Sequence, residues 1–293
     1  MKNNIIEAQN VKVNVTNLID VVIVGNIAHD INTFPKRENG KDKIVVNNGG
    51  AGYYSLIPAS LYTKIGIVSR IGNDFDIKNI KKKNIDLGGL KVIKEYPTTK
   101  FHHTYISQDG QTRTFNPEVY DECMIKLEDF PKEYFNAKYI HIATNFPSVQ
   151  KEFIKLIRQN SDAIISIDTH EAYIETDEQL IKEIFDEVDI AFIDKEFSSL
   201  LNCKAPIKII KRGKEGCQFN SNDLIFESKT VNTTVIDKTG AGDVVTGVFL
   251  ANMALTSNPK YSLDEAVKIA TESIKNYGVD FLYEIMEKES DKD

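Results

Sequence analysis

Cysteine occurs only three times in this 293-residue chain, at Cys123, Cys203 and Cys217, an odd number with no C-x-x-C pair. That excludes a disulfide framework and reads as reduced thiols. Long apolar runs are missing as well: Asp20-Val-Val-Ile-Val-Gly25 is strand-length and far short of a membrane span. Basic charge is in deficit, with 36 Lys and Arg against 43 Asp and Glu and a net charge of -7. A general nucleic-acid coat or an anionic-membrane partner needs a basic face, so both are disfavoured, whereas a small anionic substrate needs only a local positive potential. Met1-Lys-Asn-Asn has no apolar signal core, so the expected location is cytoplasmic and the sequons at Asn14 and Asn232 are chance matches. No repeat at solenoid spacing is visible. What remains is ordinary globular material, 41% apolar and 27% charged, long enough to bury well over half of its unfolded surface.

Strand-like and helix-like segments alternate. Strands are expected at Val21–Val24, Ile65–Val68, Lys138–Ile142, Ala163–Ile167, Ile190–Ile193 and Ile207–Ile210. Helices are expected at Gly49–Tyr62, Ile77–Lys83, Val149–Gln159, Asp177–Glu187, Val244–Ala254 and Leu263–Asn276. Such alternation predicts an α/β three-layer sandwich with a mostly parallel central sheet. Two polar stretches with strand-compatible alternation, near residues 31–48 and 98–117, break the rhythm, the second around the turn Gln108-Asp-Gly-Gln111. They read as a small β lid, and residues 1–293 as one domain beneath it.

The strongest chemical signal is Asp237-Lys-Thr-Gly-Ala-Gly-Asp243, which runs directly into an apolar helix. Gly240, Ala241 and Gly242 put backbone amides at a helix N-terminus, where unpaired N–H groups and the helix dipole suit phosphate. Asp243 in the first turn could take a proton from a hydroxyl held in line with that phosphate. Taken alone, the string is equally an ordinary glycine loop with a capping aspartate. A second signal is Asn47-Asn-Gly-Gly-Ala-Gly-Tyr53, where Gly49 and Gly50 admit a ligand close to another helix N-terminus. Gly25-Asn-Ile-Ala-His-Asp30 follows the first strand, where open α/β sheets bind ligands. Asp30 could accept from two neighbouring hydroxyls, although a turn aspartate fits the same string.

In combination these motifs resemble the ribokinase-like (PfkB) family of carbohydrate and nucleoside kinases. The resemblance rests on Gly49-Gly50, Gly72-Asn-Asp74 and Asp237 to Asp243 in that order, and covers roughly Val21 to Gly278. It is reinforced by Ile209-Ile-Lys-Arg-Gly-Lys-Glu-Gly216, similar to the family's nucleotide-side strand and glycine turn, and by Leu263–Gly278, similar to the helix beside the adenine pocket. The resemblance implies transfer of the γ-phosphoryl group of ATP to a hydroxyl, with Mg2+ as companion ion. Asp243 would be the base and Gly240, Ala241 and Gly242 the anion hole. Asn26, Asp30, Gly49 and Gly50 would hold the acceptor, covered by Phe101 from the lid (a lid-core aromatic would serve as well) and approached by Asn145 at a strand exit. Asp168 ends another strand in the same way. Lys211, Gly213, Gly216 and Thr239 would lie on the nucleotide side. The acceptor is expected to be a small sugar or polyol. The alternatives are a nucleoside, with Tyr53, Tyr54 or Phe101 stacked on its base, and a catalytically weak regulatory homologue. Pairing of two chains through their lids is the expectation from relatives.

The chain departs from the family pattern in three places. Asp194-Lys-Glu-Phe197 replaces the usual Asn-x-x-Glu that orders water around magnesium. Asp194 and, one position early, Glu196 are therefore the candidate metal-side residues. Lys238 replaces a threonine of the signature, which bears on a monovalent cation near Asp237. Tyr53 and Tyr54 stand where many sugar kinases have smaller or amide residues. His102-His103 is not a metal pair, because adjacent strand residues point to opposite faces. Lys78–Lys83 reads as a solvated face, Cys217 as a buried inert thiol and Glu287–Asp293 as a charged tail.

Overall fold

Val21–Val24 (β1) is buried on every residue. Val21 and Ile23 enter one hydrophobic cluster, while Val22 and Val24 enter another. A strand apolar on both sides has to lie inside a sheet covered on both faces, and that sheet organises the protein. The computed structural model describes residues 18–38, 40–106 and 113–283. The turn expected at 108–111 and the 287–293 tail lie outside them.

In chain order, Ala28–Glu38 (β2) and Lys41–Gly49 (β3) leave the sheet before Ala51–Ala59 (α1) and Ile65–Gly72 (β4) return to it. Ile85–Ile93 (β5) pairs with β4, and Lys100–Tyr105 (β6) and Arg113–Glu118 (β7) leave again. Tyr139–Ile142 (β8), Pro147–Asn160 (α2), Ile164–Ile167 (β9), Glu171–Asp186 (α3), Ile190–Asp194 (β10) and Ile207–Lys211 (β11) follow as β/α units. Cys217–Ser221 (β12) and Ile225–Ser228 (β13) form an edge hairpin before Ala241–Thr256 (α4) and Pro259–Ser273 (α5). The nine-stranded sheet has the order β13-β12-β11-β10-β9-β8-β1-β4-β5 and is parallel except at the hairpin. Residues of α1, α4 and α5 contribute to one cluster and those of α2 and α3 to the other, which makes the three layers. Among the described residues no helix is long and apolar enough to cross a membrane.

The second sheet, β3-β2-β6-β7, is the expected lid. Its inner face carries Asp30, Asn32 and Phe34 from β2 and Phe101, His103 and Tyr105 from β6, by the two-residue period of a strand. Gly72-Asn-Asp74 is the joint at its base. Asp74 accepts from Thr98 N at 2.7 Å and Thr98 Oγ1 at 2.6 Å, and Gly72 N donates to Thr98 Oγ1 at 3.0 Å.

Several expectations need correction. Helix α1 begins at Ala51, since Gly49 ends β3 and Gly50 caps the helix. Residues 77–83 form only a three-residue 3-10 turn, Ile77–Asn79, because Ile80 alone is buried while Lys81 to Lys83 are solvated. The start expected at Asp177 is a kink inside α3, where its φ is -153° and its carboxylate caps Leu180 N at 3.1 Å. Strand β5 went unread because Gly88-Gly89 hides its pattern.

Candidate active site

Chain order runs β1, β4, β5 in one direction along the sheet and β8 to β11 in the other, so the direction switches between β1 and β8. The loops leaving these two strands part there and open a crevice. It is open to solvent and lined by residues of the lid sheet, of these two loops and of the α3 and α4 N-termini. Its floor is Asn26, Asp30, Gly50 and Tyr54, its far side Thr239, Gly240 and Asp243, and its roof Phe101, His103 and Phe115.

Gly240 is the N-cap of helix α4, with a φ of +74° and no side-chain cap bond. That left-handed turn excludes most residues, and a Cβ would also fall inside the Tyr54 ring, so only glycine fits. Ala241 N donates to Lys238 O at 3.1 Å to close the turn. This corrects the expected three-amide hole: Ala241 is spent on the loop itself, and Gly240 and Gly242 remain for an anion. Asp243, half-buried in the first helical turn, carries a carboxyl pushed up to about 8. Burial is the main cause, followed by Asp168, with Asp194 and Asp30 adding to it and Lys211 opposing.

Lys211 ends β11 and is 7% exposed. Its Nζ lies 2.7 Å from Asp168 Oδ2 and 3.6 Å from Asp194 Oδ1. It also lies against the anion loop: a Cβ on Gly242 would be 3.1 Å from it. Burial works against the ammonium, but Asp168 and Asp194 more than offset it and hold it above its usual range. Burial raises Asp168 above its ordinary value, while Lys211, bonded to it, pulls the other way. Three carboxylates and one ammonium thus meet where three strand ends reach the helix N-terminus. Gly213 and Gly216 make the turn beyond, where Arg212 N donates to Gly216 O at 2.8 Å.

On the acceptor side, Gly49 leaves room for the Asp30 carboxylate, which a Cβ would strike. Asp30 is 1% exposed, with His103 Nε2 at 3.9 Å from its Oδ2. His102 instead faces Glu118 Oε2 at 3.6 Å, so the two histidines do point apart. Asn145 does not line the crevice; its Oδ1 accepts from Phe146 N at 2.8 Å, and Thr144 takes its place. Tyr53 is fully buried and bonded to Asp280, which removes it as a stacking partner. The ring of Tyr54 is held beneath Gly240. Phe101 does line the roof, and residues unread in the sequence join it. Phe115 lies 5.4 Å from Phe101, 5.3 Å from His103 and 5.2 Å from His170 of the α3 cap, with Tyr173 beside them.

The metal-side expectations divide. Asp194 reaches the carboxylate cluster, and Glu196 is exposed. Phe197 packs against the second hydrophobic cluster, so a glutamate there would enter an apolar contact instead of a metal shell. Among the described residues no group of three or more His, Cys, Asp or Glu gathers as a metal cage. Asp237, 4% exposed, accepts from Asn32 Nδ2 at 3.1 Å, Tyr105 OH at 3.3 Å, Thr239 N at 2.9 Å and Thr239 Oγ1 at 2.7 Å. Cys217 is buried, and burial pushes its thiol up to about 12.

A mostly parallel sheet between helix layers, with a β lid over its switch point, defines a ribokinase-like fold. The sequence matches the pfkB family of carbohydrate kinases over residues 18–285, and the chain belongs to that family of phosphotransferases. A cytidine kinase of Thermococcus kodakarensis is 24% identical over 288 residues, spanning 89% of this chain and 98% of its own. A putative ribokinase II of E. coli in complex with ATP and Mg2+ superposes with a TM-score of 0.74 at 17% identity, covering 93% of this chain and 100% of that one. The nucleoside kinase of Methanocaldococcus jannaschii does so at 0.70 and 18%, covering 92% and 99%.

Proposed function

We propose that this protein transfers the γ-phosphoryl group of ATP to a hydroxyl of a nucleoside. The observation that carries the acceptor class is the roof of Phe101, Phe115, His103, His170 and Tyr173, set over a carboxylate suited to paired hydroxyls. A planar base offers two broad aromatic faces to such a roof, more stacking surface than the C–H face of a small sugar or polyol. The cytidine kinase relative, matched along almost its whole length, supports the same choice over the sugar or polyol suggested by the motifs alone.

On this reading Asp30 and Asn26 orient the sugar hydroxyls and the roof closes over the base, excluding water. Asp243 accepts the proton of the attacking hydroxyl, and Gly240 and Gly242 donate to the transferring phosphoryl oxygens. Lys211 supplies the positive charge beside them. Magnesium would enter this site with the ATP phosphates, where Asp194 would accept from its waters, since among the described residues no group of three or more ligands forms a cage. When bound, it neutralises phosphate charge.

The decisive experiment is ADP release from MgATP across a panel of nucleosides, sugars and polyols. A kcat/KM for the best nucleoside at least about a hundredfold above that for any free sugar is expected, the scale of one desolvated aromatic contact with its hydrogen bonds. A sugar at the top of the panel overturns the acceptor class and leaves the kinase. The outer lid face leaves Ile44 64% and Val46 63% exposed, which supports pairing of two lids. Light scattering at micromolar protein is expected to read twice the chain mass of 33.1 kDa.

A further inference from the structure

Asp237 lies six residues before the carboxylate proposed as base, yet its partners come from the other sheet. Asn32 of β2, 205 residues earlier, donates to Oδ2 at 3.1 Å, and Tyr105 of β6, 132 residues earlier, donates to Oδ1 at 3.3 Å. Tyr105 OH also meets Thr239 Oγ1 at 2.5 Å. All four groups lie at or under the inner face of the lid, and Asn32, Tyr105 and Asp237 are buried. The Tyr105 ring is held in place, stacked on Phe34 at 4.8 Å with 7° between planes, and Phe34 lies 5.5 Å from the ring of Tyr277. On its other side Asp237 is tied to the body of the protein, since Ile236 N and Asp237 N both donate to Ile274 O at the end of α5.

The carboxylate also shapes the next two residues. Asp237 Oδ1 accepts from Thr239 N at 2.9 Å and Thr239 Oγ1 at 2.7 Å, an Asx-type turn that fixes the peptide entering Gly240. Gly240 is the left-handed residue that opens the anion loop. The same carboxylate therefore receives the lid on one side and sets the start of the loop on the other.

We propose that Tyr105 and Asn32 are positioning residues that hold the Gly240–Gly242 loop in its phosphate-binding shape through Asp237, so that the loop is complete only when the lid is down. The physical reason is the expense of an under-satisfied buried carboxylate. With the lid raised, Asp237 loses its bonds to Asn32 and Tyr105, and it regains donors from the water this admits by turning outward. That rotation breaks its bonds to Thr239 and releases the entry to the loop. The lid already rests on Asp237 without a ligand, and acceptor binding, which holds the lid down through the roof residues of the same β6 strand, thereby keeps the far side of the site assembled. The catalytic consequence rests on the loop being the phosphate site, whereas the mechanical coupling does not.

Tyr105→Phe tests both parts, because it keeps the ring and its stacking on Phe34 and removes only the hydroxyl. In hydrogen–deuterium exchange of the intact, unliganded protein, peptides spanning 237–243 are expected to exchange about tenfold faster, with those of α5 and β1 unchanged. With the best acceptor of the panel, kcat is expected to fall about tenfold while acceptor KM stays within about twofold. In an Asp237→Asn background the same substitution is expected to change kcat by less than about twofold, since its route is already lost. Unchanged exchange at 237–243, or equal losses of kcat in the two backgrounds, overturns the proposal. So does a lower melting temperature with kcat intact, which a purely structural hydroxyl would give. Asn32→Ala provides a second path to the same exchange signature should Tyr105→Phe fold poorly. If the wild-type protein turns over nothing in the panel, the proposed function fails, and the exchange experiment still decides the coupling.

Discussion

Asp243→Asn is expected to abolish acceptor-dependent ADP release, by at least about a hundredfold, and to make the protein more stable. The two effects share one cause. A carboxyl whose ordinary value of 3.8 is pushed up to about 8, by burial first and then by Asp168, Asp194 and Asp30, is strained when ionised. In the folded state it binds its proton more tightly than in the unfolded chain. Its ionisation therefore adds nothing to instability below about pH 4, takes away stability progressively up to about pH 8, and takes away the full amount beyond. Asparagine has the same shape and no charge. The gain in melting temperature is expected to be negligible below about pH 4, to be present in part at pH 5 and to be largest at pH 8.5, read by scanning calorimetry. Turnover follows the opposite logic, because a base has to be deprotonated. In the wild type, kcat/KM for the acceptor is expected to fall as pH drops through about 8, and Asp168→Asn, which removes a neighbouring negative charge, should carry that limb to lower pH. A variant that kept near-wild-type turnover would remove Asp243 from the mechanism. One that lost activity with no pH-dependent gain in stability would show that the carboxyl is not strained.

Local chemistry was legible in the sequence where one short segment carries its own reason. Gly240 announces the left-handed turn that only it can make, and the near-continuous run at Val21–Val24 announces a strand covered on both faces. Asp243 and Asp30 stand in strings whose function depends on neighbours a few residues away. The rest depends on which distant segments meet, and no spacing encodes that. Lys211 was expected on the nucleotide side, but its pairing with Asp168, 43 residues earlier, needed the adjacency of β9, β10 and β11. Tyr105 is one alternating residue of a lid strand, and nothing in that strand's spacing encodes its meeting with Asp237. Phe115 and His170 join one roof from a lid strand and a helix cap. Tyr53 illustrates the opposite failure: an aromatic beside a glycine loop suggested stacking, yet its hydroxyl is bonded to Asp280 and its ring is in the core. The replacement of the family's glutamate by Phe197 suggested a weakened site, and the structure places that ring in hydrophobic packing while Lys211 brings positive charge to the anion loop from another strand.

Lys211→Met is the substitution that separates the two duties of that charge. Removing one partner of a buried ion pair while leaving the other costs about 3–5 kcal/mol, and here the ammonium stands among Asp168, Asp194 and Asp243. The melting temperature is therefore expected to fall by on the order of 10 °C. Turnover is expected to fall by about a hundredfold or more, the scale for losing one group that stabilises developing charge. Either loss alone is ambiguous, since a destabilised site also turns over slowly. The double variant Lys211→Met with Asp168→Asn resolves it. Neutralising Asp168 removes the stranded charge, so most of the lost stability should return. No positive charge returns to the anion loop, so turnover should stay down. Recovery of both would make Lys211 a structural counter-ion to Asp168 and nothing more. Recovery of stability with turnover still low would place its ammonium on the transferring phosphoryl group, as its position alongside Gly242 implies.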